Sequence, residues 1–381
     1  MNRRQRTYLL QAILFIATLI TTTIAGAEWT WGSSFLNPFR EMGWTQFWSG
    51  TKFSVPFLAI LTIHEFGHYF TAKYNRIKVT LPFYIPIWLG PVTSIGTMGA
   101  FIRIKSKIKS ARGYFDVGIA GPLAGFVAAI GLLWYGFTHL PSLDYLFTIH
   151  PEYKQFGSDY AAFVYQSKQA GNVALGDNLV FWFFKKYVVT DPKLIPSPYE
   201  IIHYPYLFAG YLALFFTALN LIPIGQLDGG HILYALIGSK RHRVVSPVLF
   251  VLFITYAGIG TYRIEDFAIH DNGLFLEQVG YAALYIFFLF YSCRRTVELP
   301  INAVIMALSI FLAQLLLAMV LPHLTGNSVF LPFTFVLGRF LGVYHPPAED
   351  EAPLDWKRQI LGWLALLIFV VCMSPEPFLM D

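Results

Sequence analysis

Ala59-Ile60-Leu61-Thr62-Ile63-His64-Glu65-Phe66-Gly67-His68-Tyr69-Phe70 decides how the rest of the chain is read. On a helix, His64 and His68 stand at i and i+4 and share one face, so both imidazoles can hold one metal ion. Glu65 lies beside them, where a carboxylate can take a proton from a water on that metal. Upstream, Phe53-Ser54-Val55-Pro56-Phe57-Leu58 extends the apolar run. Together these residues read as a membrane helix. Ionisable side chains at membrane depth are costly and mark function by default.

The whole chain agrees with that setting. Of 381 residues, 56% are hydrophobic and 13% charged, against about a quarter charged in an ordinary globular domain. The expected class is an all-α polytopic membrane protein in contact with a lipid bilayer. The net charge is +5, but the basic residues form short clusters beside apolar runs. They act as topology signals and not as a nucleic-acid footprint, so no nucleic-acid partner is expected. Cys293 and Cys372 make neither a zinc pattern nor a disulfide framework.

Arg3, Arg4 and Arg6 precede a first apolar run, Tyr8 to Ala27, and place the N-terminus inside. This run is too long for a removed signal peptide and lacks the small-residue cleavage pattern, so a retained anchor is expected. The second span, 54–74, runs inward and ends at Lys73, Arg76 and Lys78. That puts His64, Glu65 and His68 in the cytoplasmic half of the membrane. Residues 79–102 are apolar but broken by Pro82, Pro86, Gly90, Pro91, Gly96 and Gly99. A straight helix is disfavoured there, so a re-entrant, partly β loop is expected, a loop in the headgroups being the alternative. Further spans are expected at 114–138, 204–224, 245–262, 274–292, 301–321 and 359–373. That makes about eight spans, with 328–343 in the interface and a short interfacial helix at 178–189.

The implied organisation is an N-terminal anchor span and outer loop over 1–53. A core follows over 54–243 with an extracytoplasmic loop at 139–203, and C-terminal membrane helices occupy 244–381.

Zinc in a hydrolytic site takes three protein ligands and leaves one place for water. His64 and His68 supply two. Asp228, in Asn220-Leu221-Ile222-Pro223-Ile224-Gly225-Gln226-Leu227-Asp228-Gly229-Gly230, is level with them at the inner end of the fourth span. Asp228 with Gly229 also fits a helix-ending turn. His203 reads as an interfacial residue and His150 as a loop residue.

His64-Glu65-x-x-His68 in one span, with Asn220-x-x-Pro223-x-x-x-Leu227-Asp228-Gly229 in a later one, resembles the site-2 protease family of intramembrane zinc metalloproteases, peptidase family M50. Gly96 to Gly99 and Gly121-Pro122-Leu123-Ala124-Gly125 are similar to that family too. The resemblance spans about residues 54–240. It implies one Zn2+ per chain on His64, His68 and Asp228, and Glu65 as general base. It further implies that Asn220 positions substrate or steadies the oxyanion, with Gly96 and Gly99 near substrate. The expected partner is a membrane protein with a transmembrane segment, cleaved within or near the bilayer. The long loop is shorter than in members that carry PDZ modules.

Two other classes fit parts of the pattern. A proton- or ion-coupled transporter also carries intramembrane His, Glu and Asp, but no internal repeat is visible. An inactive protease-like scaffold is the other, and the intact Glu65 argues against it. A bacterial inner (cell) membrane is the expected location, because no transit-like leader is apparent.

Overall fold

Helix formation begins at Asn2, whose side chain accepts from Gln5 N while Gln5 closes back on Asn2 N, a capping box at the head of a long apolar run. The helix so started, α1 (Arg3–Trp31), stops at Gly32, where φ of 59° is left-handed and favours glycine. The computed structural model describes residues 2–38, 41–90, 94–165, 173–268 and 271–380. Pro91 of the broken stretch and His270 lie outside them. After α1 come α2 (Trp44–Ser49), α3 (Thr51–Tyr74), β1 (Phe83–Pro86), β2 (Thr97–Phe101) and α4 (Ala111–Thr138). The next segment carries α5 (Leu143–Ile149), α6 (Tyr160–Val164), β3 (Val173–Ala174) and α7 (Leu179–Tyr187). There follow α8 (Pro205–Leu221), α9 (Asp228–Ile237), α10 (Ser239–Gly258), α11 (Asn272–Cys293), α12 (Pro300–Val320), α13 (Leu331–Val336), α14 (Trp356–Cys372) and β4 (Leu379–Met380).

The protein is mostly helical, but the span count differs from expectation. Four helices among the described residues are long and apolar enough to cross a membrane: Arg4–Trp31, Ala111–Thr138, Gly273–Cys293 and Pro300–Val320. Eight were expected. The difference has physical causes. Helices α8 and α14 have 17 residues each, about 25 Å of rise against a hydrocarbon core of about 30 Å. Helix α3 has the length but carries Lys52, His64, Glu65, His68 and Lys73. Helix α10 opens with Lys240, Arg241 and Arg243.

The chain divides into two compact units. The first comprises Met1–Ile108, Ile119–Leu219 and Leu367–Asp381. Within it α1 and α3 run antiparallel in close contact. A Cβ on Gly50 would come 2.1 Å from Thr23 O, and the Thr23 and Ser54 hydroxyls bond at 2.7 Å. Such small and hydroxylated contacts bring helices together where hydrophobic drive is weak. Phe53 stacks on Phe57 and Phe208, with centroids 5.2 and 5.4 Å apart. The broken stretch folds as a two-stranded antiparallel hairpin, pairing Phe83 with Phe101, Tyr84 with Ala100 and Pro86 with Thr97. The register slips between Tyr84 and Pro86, as expected where proline interrupts a ladder. The hairpin leans on α1. Gln11 Nε2 donates to Leu81 O at 2.6 Å, and Thr21 Oγ1 donates to Gly96 O at 2.6 Å. Near the chain's end, Tyr211 OH meets both Gly176 O and Pro377 O at 2.8 Å.

The second unit comprises Lys109–Gly118 and Asn220–Leu366. Buried Gln314 of α12 donates to Ile254 O of α10 at 3.1 Å and accepts from Tyr285 OH of α11 at 3.1 Å. One amide thus ties three apolar helices. Ser246 accepts from Gly225 N at 2.9 Å and donates to Val343 O at 2.6 Å. The Arg358 guanidinium grips Asp116 in a two-pronged ion pair at 2.7 and 3.0 Å.

Candidate metal centre

Helix α3 delivers His64 and His68 to one face as the i, i+4 spacing requires. Their Nε2 atoms lie 3.0 Å apart, with ring centroids at 4.7 Å. Glu65 Oε1 lies 3.9 Å from His64 Nε2. All three residues are buried, at 5–7% exposure, which an unsupported cluster of this kind would not tolerate. Two Zn–N bonds of about 2.0–2.1 Å at a tetrahedral angle place their nitrogens about 3.3 Å apart. The observed spacing therefore fits a single ion of zinc type with only a small adjustment.

Small residues of α4 close over the imidazoles. A Cβ on Gly121 would lie 2.1 Å from His68 Nε2, and one on Gly125 would lie 3.3 Å from His64 Nδ1. From the other side, a Cβ on Gly67 would lie 2.6 Å from Ala120 O. The Gly121-Pro122-Leu123-Ala124-Gly125 stretch therefore sets the space in which the rings sit. The stretch lies within α4, in the span expected at 114–138, but nothing in the sequence shows which side chains it meets. A second link was not foreseen. Thr62, two residues before His64, shares a 2.8 Å hydrogen bond with Tyr84 OH of β1.

The other expected site residues fall in two places. Gly96 and Gly99 lie on the hairpin strand β2 or at its start, with φ of 83° and 103°. A Cβ on Gly96 would meet Thr22 Cα at 2.3 Å, whereas Gly99 has open space around its Cβ position. Gly96 thus serves close packing on α1, and Gly99 serves a left-handed backbone. Asn220 and Asp228 belong to the second unit. Asn220 sits in the last turn of α8, and Asp228 is the first residue of α9. The alternative of a helix-ending turn at Asp228 is overturned, because Gly229 and Gly230 continue into α9. Their missing side chains let the turn fold tightly. A Cβ on Gly229 would lie 2.0 Å from Leu221 O, and one on Gly230 would lie 2.4 Å from Gly225 O.

Two buried imidazoles beside a carboxylate on an apolar helix are a donor set of metal-binding type in a helical membrane protein. Residues 52–258, just over half of the chain, match the model of peptidase family M50. The chain belongs to that family, as the paired motifs of the sequence implied. It is 32% identical over 193 residues to a protein named probable zinc metalloprotease EGY2, chloroplastic, of Oryza sativa subsp. indica, covering 50% of this chain and 30% of the relative. It is 29% identical over 182 residues to probable zinc metalloprotease EGY1, chloroplastic, of Oryza sativa subsp. japonica, covering 48% and 27%. The EGY1 protein of Arabidopsis thaliana is 25% identical over 243 residues, covering 64% and 36%. The chain spans about a third of the length of these curated relatives. No solved structure matches it.

Proposed function

We propose that this chain is an intramembrane zinc metalloendopeptidase that cleaves transmembrane or membrane-proximal segments of membrane-protein substrates. The observation that carries this is the buried His64–His68 pair, 3.0 Å between Nε2 atoms, with Glu65 beside it on α3. Membership of peptidase family M50 and relatives named zinc metalloproteases support it.

His64, His68 and Asp228 would hold one zinc in this centre. Zinc of this kind lowers the pKa of a water to about 7 and polarises a carbonyl. Glu65 takes the water's proton and later returns it to the leaving amine. Asn220 donates a hydrogen bond to the developing oxyanion. Gly121 and Gly125 keep the imidazoles aimed by leaving no room for other rotamers.

A membrane substrate is normally helical, with its carbonyls bonded internally, so it must be unwound before attack. The hairpin offers an edge for that. Strands β1 and β2 pair only with each other among the described residues, and an extended peptide adds to such an edge by main-chain hydrogen bonds. Gly99 leaves its side of β2 uncrowded. In this reading the hairpin is re-entrant, and α3, α8, α10 and α14 are further spans, eight in all. The catalytic core is proposed at 54–243, supported by the family match over 52–258. The centre is proposed in the cytoplasmic half of a bacterial inner membrane. The plant relatives are named as chloroplastic.

The test is cleavage of a transmembrane substrate by purified, detergent-solubilised protein. Glu65→Gln should keep its metal and lose cleavage, and normal proteolysis by that variant would remove Glu65 from its role.

A further inference from the structure

A second group of metal-type side chains lies in the first unit, away from α3. Among the described residues, His150, Glu200 and His203 each offer a donor atom, all within 4.8 Å of one another. Nothing in their spacing advertises this. His150 follows α5, while Glu200 and His203 precede α8.

The hydrogen-bond pattern gives the group its meaning. His203 Nδ1 donates to Thr30 O at 2.8 Å, so in the neutral ring Nε2 carries the lone pair. His150 Nδ1 contacts Glu152 Oε1 at 3.0 Å, which makes its Nε2 the acceptor as well. These two Nε2 atoms face each other at 3.2 Å. Glu200 Oε2 stands 3.5 Å from His203 Nε2. Glu200 is fully buried, and this oxygen has no hydrogen-bond partner among the described residues. Its other oxygen accepts from Tyr165 OH, the kind of outer contact that orients a ligating carboxylate. With both rings neutral, two Nε2 lone pairs and a buried carboxylate oxygen converge, a donor set suited to a cation.

The His231–His345 pair of the second unit supplies the contrast. His345 Nδ1 contacts Pro346 O at 2.7 Å, and His345 Nε2 faces His231 Nδ1 at 2.7 Å. There His231 can donate and His345 accept, so the pair is complete without an ion.

We propose that His150, Glu200 and His203 form a second metal site that takes a divalent ion of the zinc class. Two imidazoles and a carboxylate are a zinc donor set, and the 3.2 Å nitrogen spacing matches the tetrahedral value of about 3.3 Å. The site borders a cavity of about 450 Å³ whose lining includes Glu28, Ser34, Gly90 and Tyr165, which gives an ion a way in and leaves space for a water ligand. It lies at the far end of α1 from the α3 imidazoles. Thr30 is beyond Thr23, and His64 is beyond Ser54 in the opposite direction, so the two centres stand about 25 Å apart along the helices. With an ion bound, the two ends of the segment between α4 and α8 are joined, next to the point where His203 already holds Thr30 O of α1.

The test is metal stoichiometry of the purified full-length chain, stripped with chelator and reloaded with Zn2+ or Co2+ alone. Wild type should bind two ions, His150→Ala one, and Glu200→Gln one at concentrations about a hundredfold above those that fill wild type. The pair His64→Ala/His68→Ala should bind one, and adding His150→Ala should leave none. In that background zinc should raise the melting temperature only while His150 is present. If wild type binds one ion and His150→Ala still binds one, the two imidazoles share a proton and the proposal falls. A wild-type value of two that His150→Ala does not change also overturns it. His150 is the mildest probe, because its side chain is 20% exposed, so the wild-type comparison holds even where the α3 variants fail to fold. Loss of cleavage with two ions still bound would instead count against the proteolytic reading.

Discussion

The first unit contains two histidine pairs of nearly equal geometry and opposite construction. His64 and His68 come from one turn of α3, while His150 and His203 come from segments more than 50 residues apart. Their Nε2 separations are 3.0 and 3.2 Å. The α3 pair is aimed by helix geometry and walled in by glycines of α4. The other pair is aimed by a backbone carbonyl and a carboxylate, and it opens on a cavity. A local scaffold with a steric wall suits a centre that must hold position while bonds are made. A long-range scaffold suits a clamp, because the ion joins parts that are otherwise held by loops.

The largest expected effect separates chemistry from metal holding at the α3 pair. Glu65→Gln should lower cleavage by about 10²–10⁴-fold with zinc content unchanged by metal analysis. A fall in zinc would move Glu65 among the ligands and blur the contrast with Glu200. Next is Asn220→Ala, expected to lower kcat by about 10²–10³-fold, again with zinc retained. Equal losses in metal and rate would make Asn220 structural.

The steric wall is tested by a pair of substitutions in one motif. Gly121→Ala should cost about 1–3 kcal/mol of stability and reduce zinc binding, since its Cβ would meet the His68 ring at 2.1 Å. Gly125→Ala, at 3.3 Å from His64, should cost less than about 1 kcal/mol. Thermal unfolding with metal analysis reads both, and equal effects would refute the wall. The smallest effect concerns the ion-free contrast pair. Burial, and then His231, push His345 down to about 3. The unfolded chain takes up this proton near pH 6.5, so its contribution is present above that pH and is lost as pH falls toward 3. The melting temperature should drop over that window, and less so in His345→Gln. A flat profile would show that this ring is not held neutral.

The α3 centre was legible because its parts repeat at helical spacing in one apolar run, and because histidine and glutamate are conspicuous there. The Pro and Gly density of 79–102 likewise announced a break, although the pairing of Phe83 with Phe101 depends on packing against α1 that no local pattern encodes. The His150 group was not legible. Only Glu200-x-x-His203 is local, and burial of His203 against Thr30 O arises from contact between distant segments. Fewer helices than the expected spans are both long and apolar enough to cross a membrane by themselves. The run Pro205–Leu221 is apolar but stops at 17 residues, between Pro205 at its start and Pro223 just beyond its end.

The hydroxyl contact between Thr62 and Tyr84 has a mechanical corollary. It couples β1 to the backbone half a turn from His64, so a polypeptide pulling on the hairpin loads the very rod that bears the imidazoles. In the proposed strand addition, docking of a stretched guest and alignment of the imidazoles would be geared to one another through this joint.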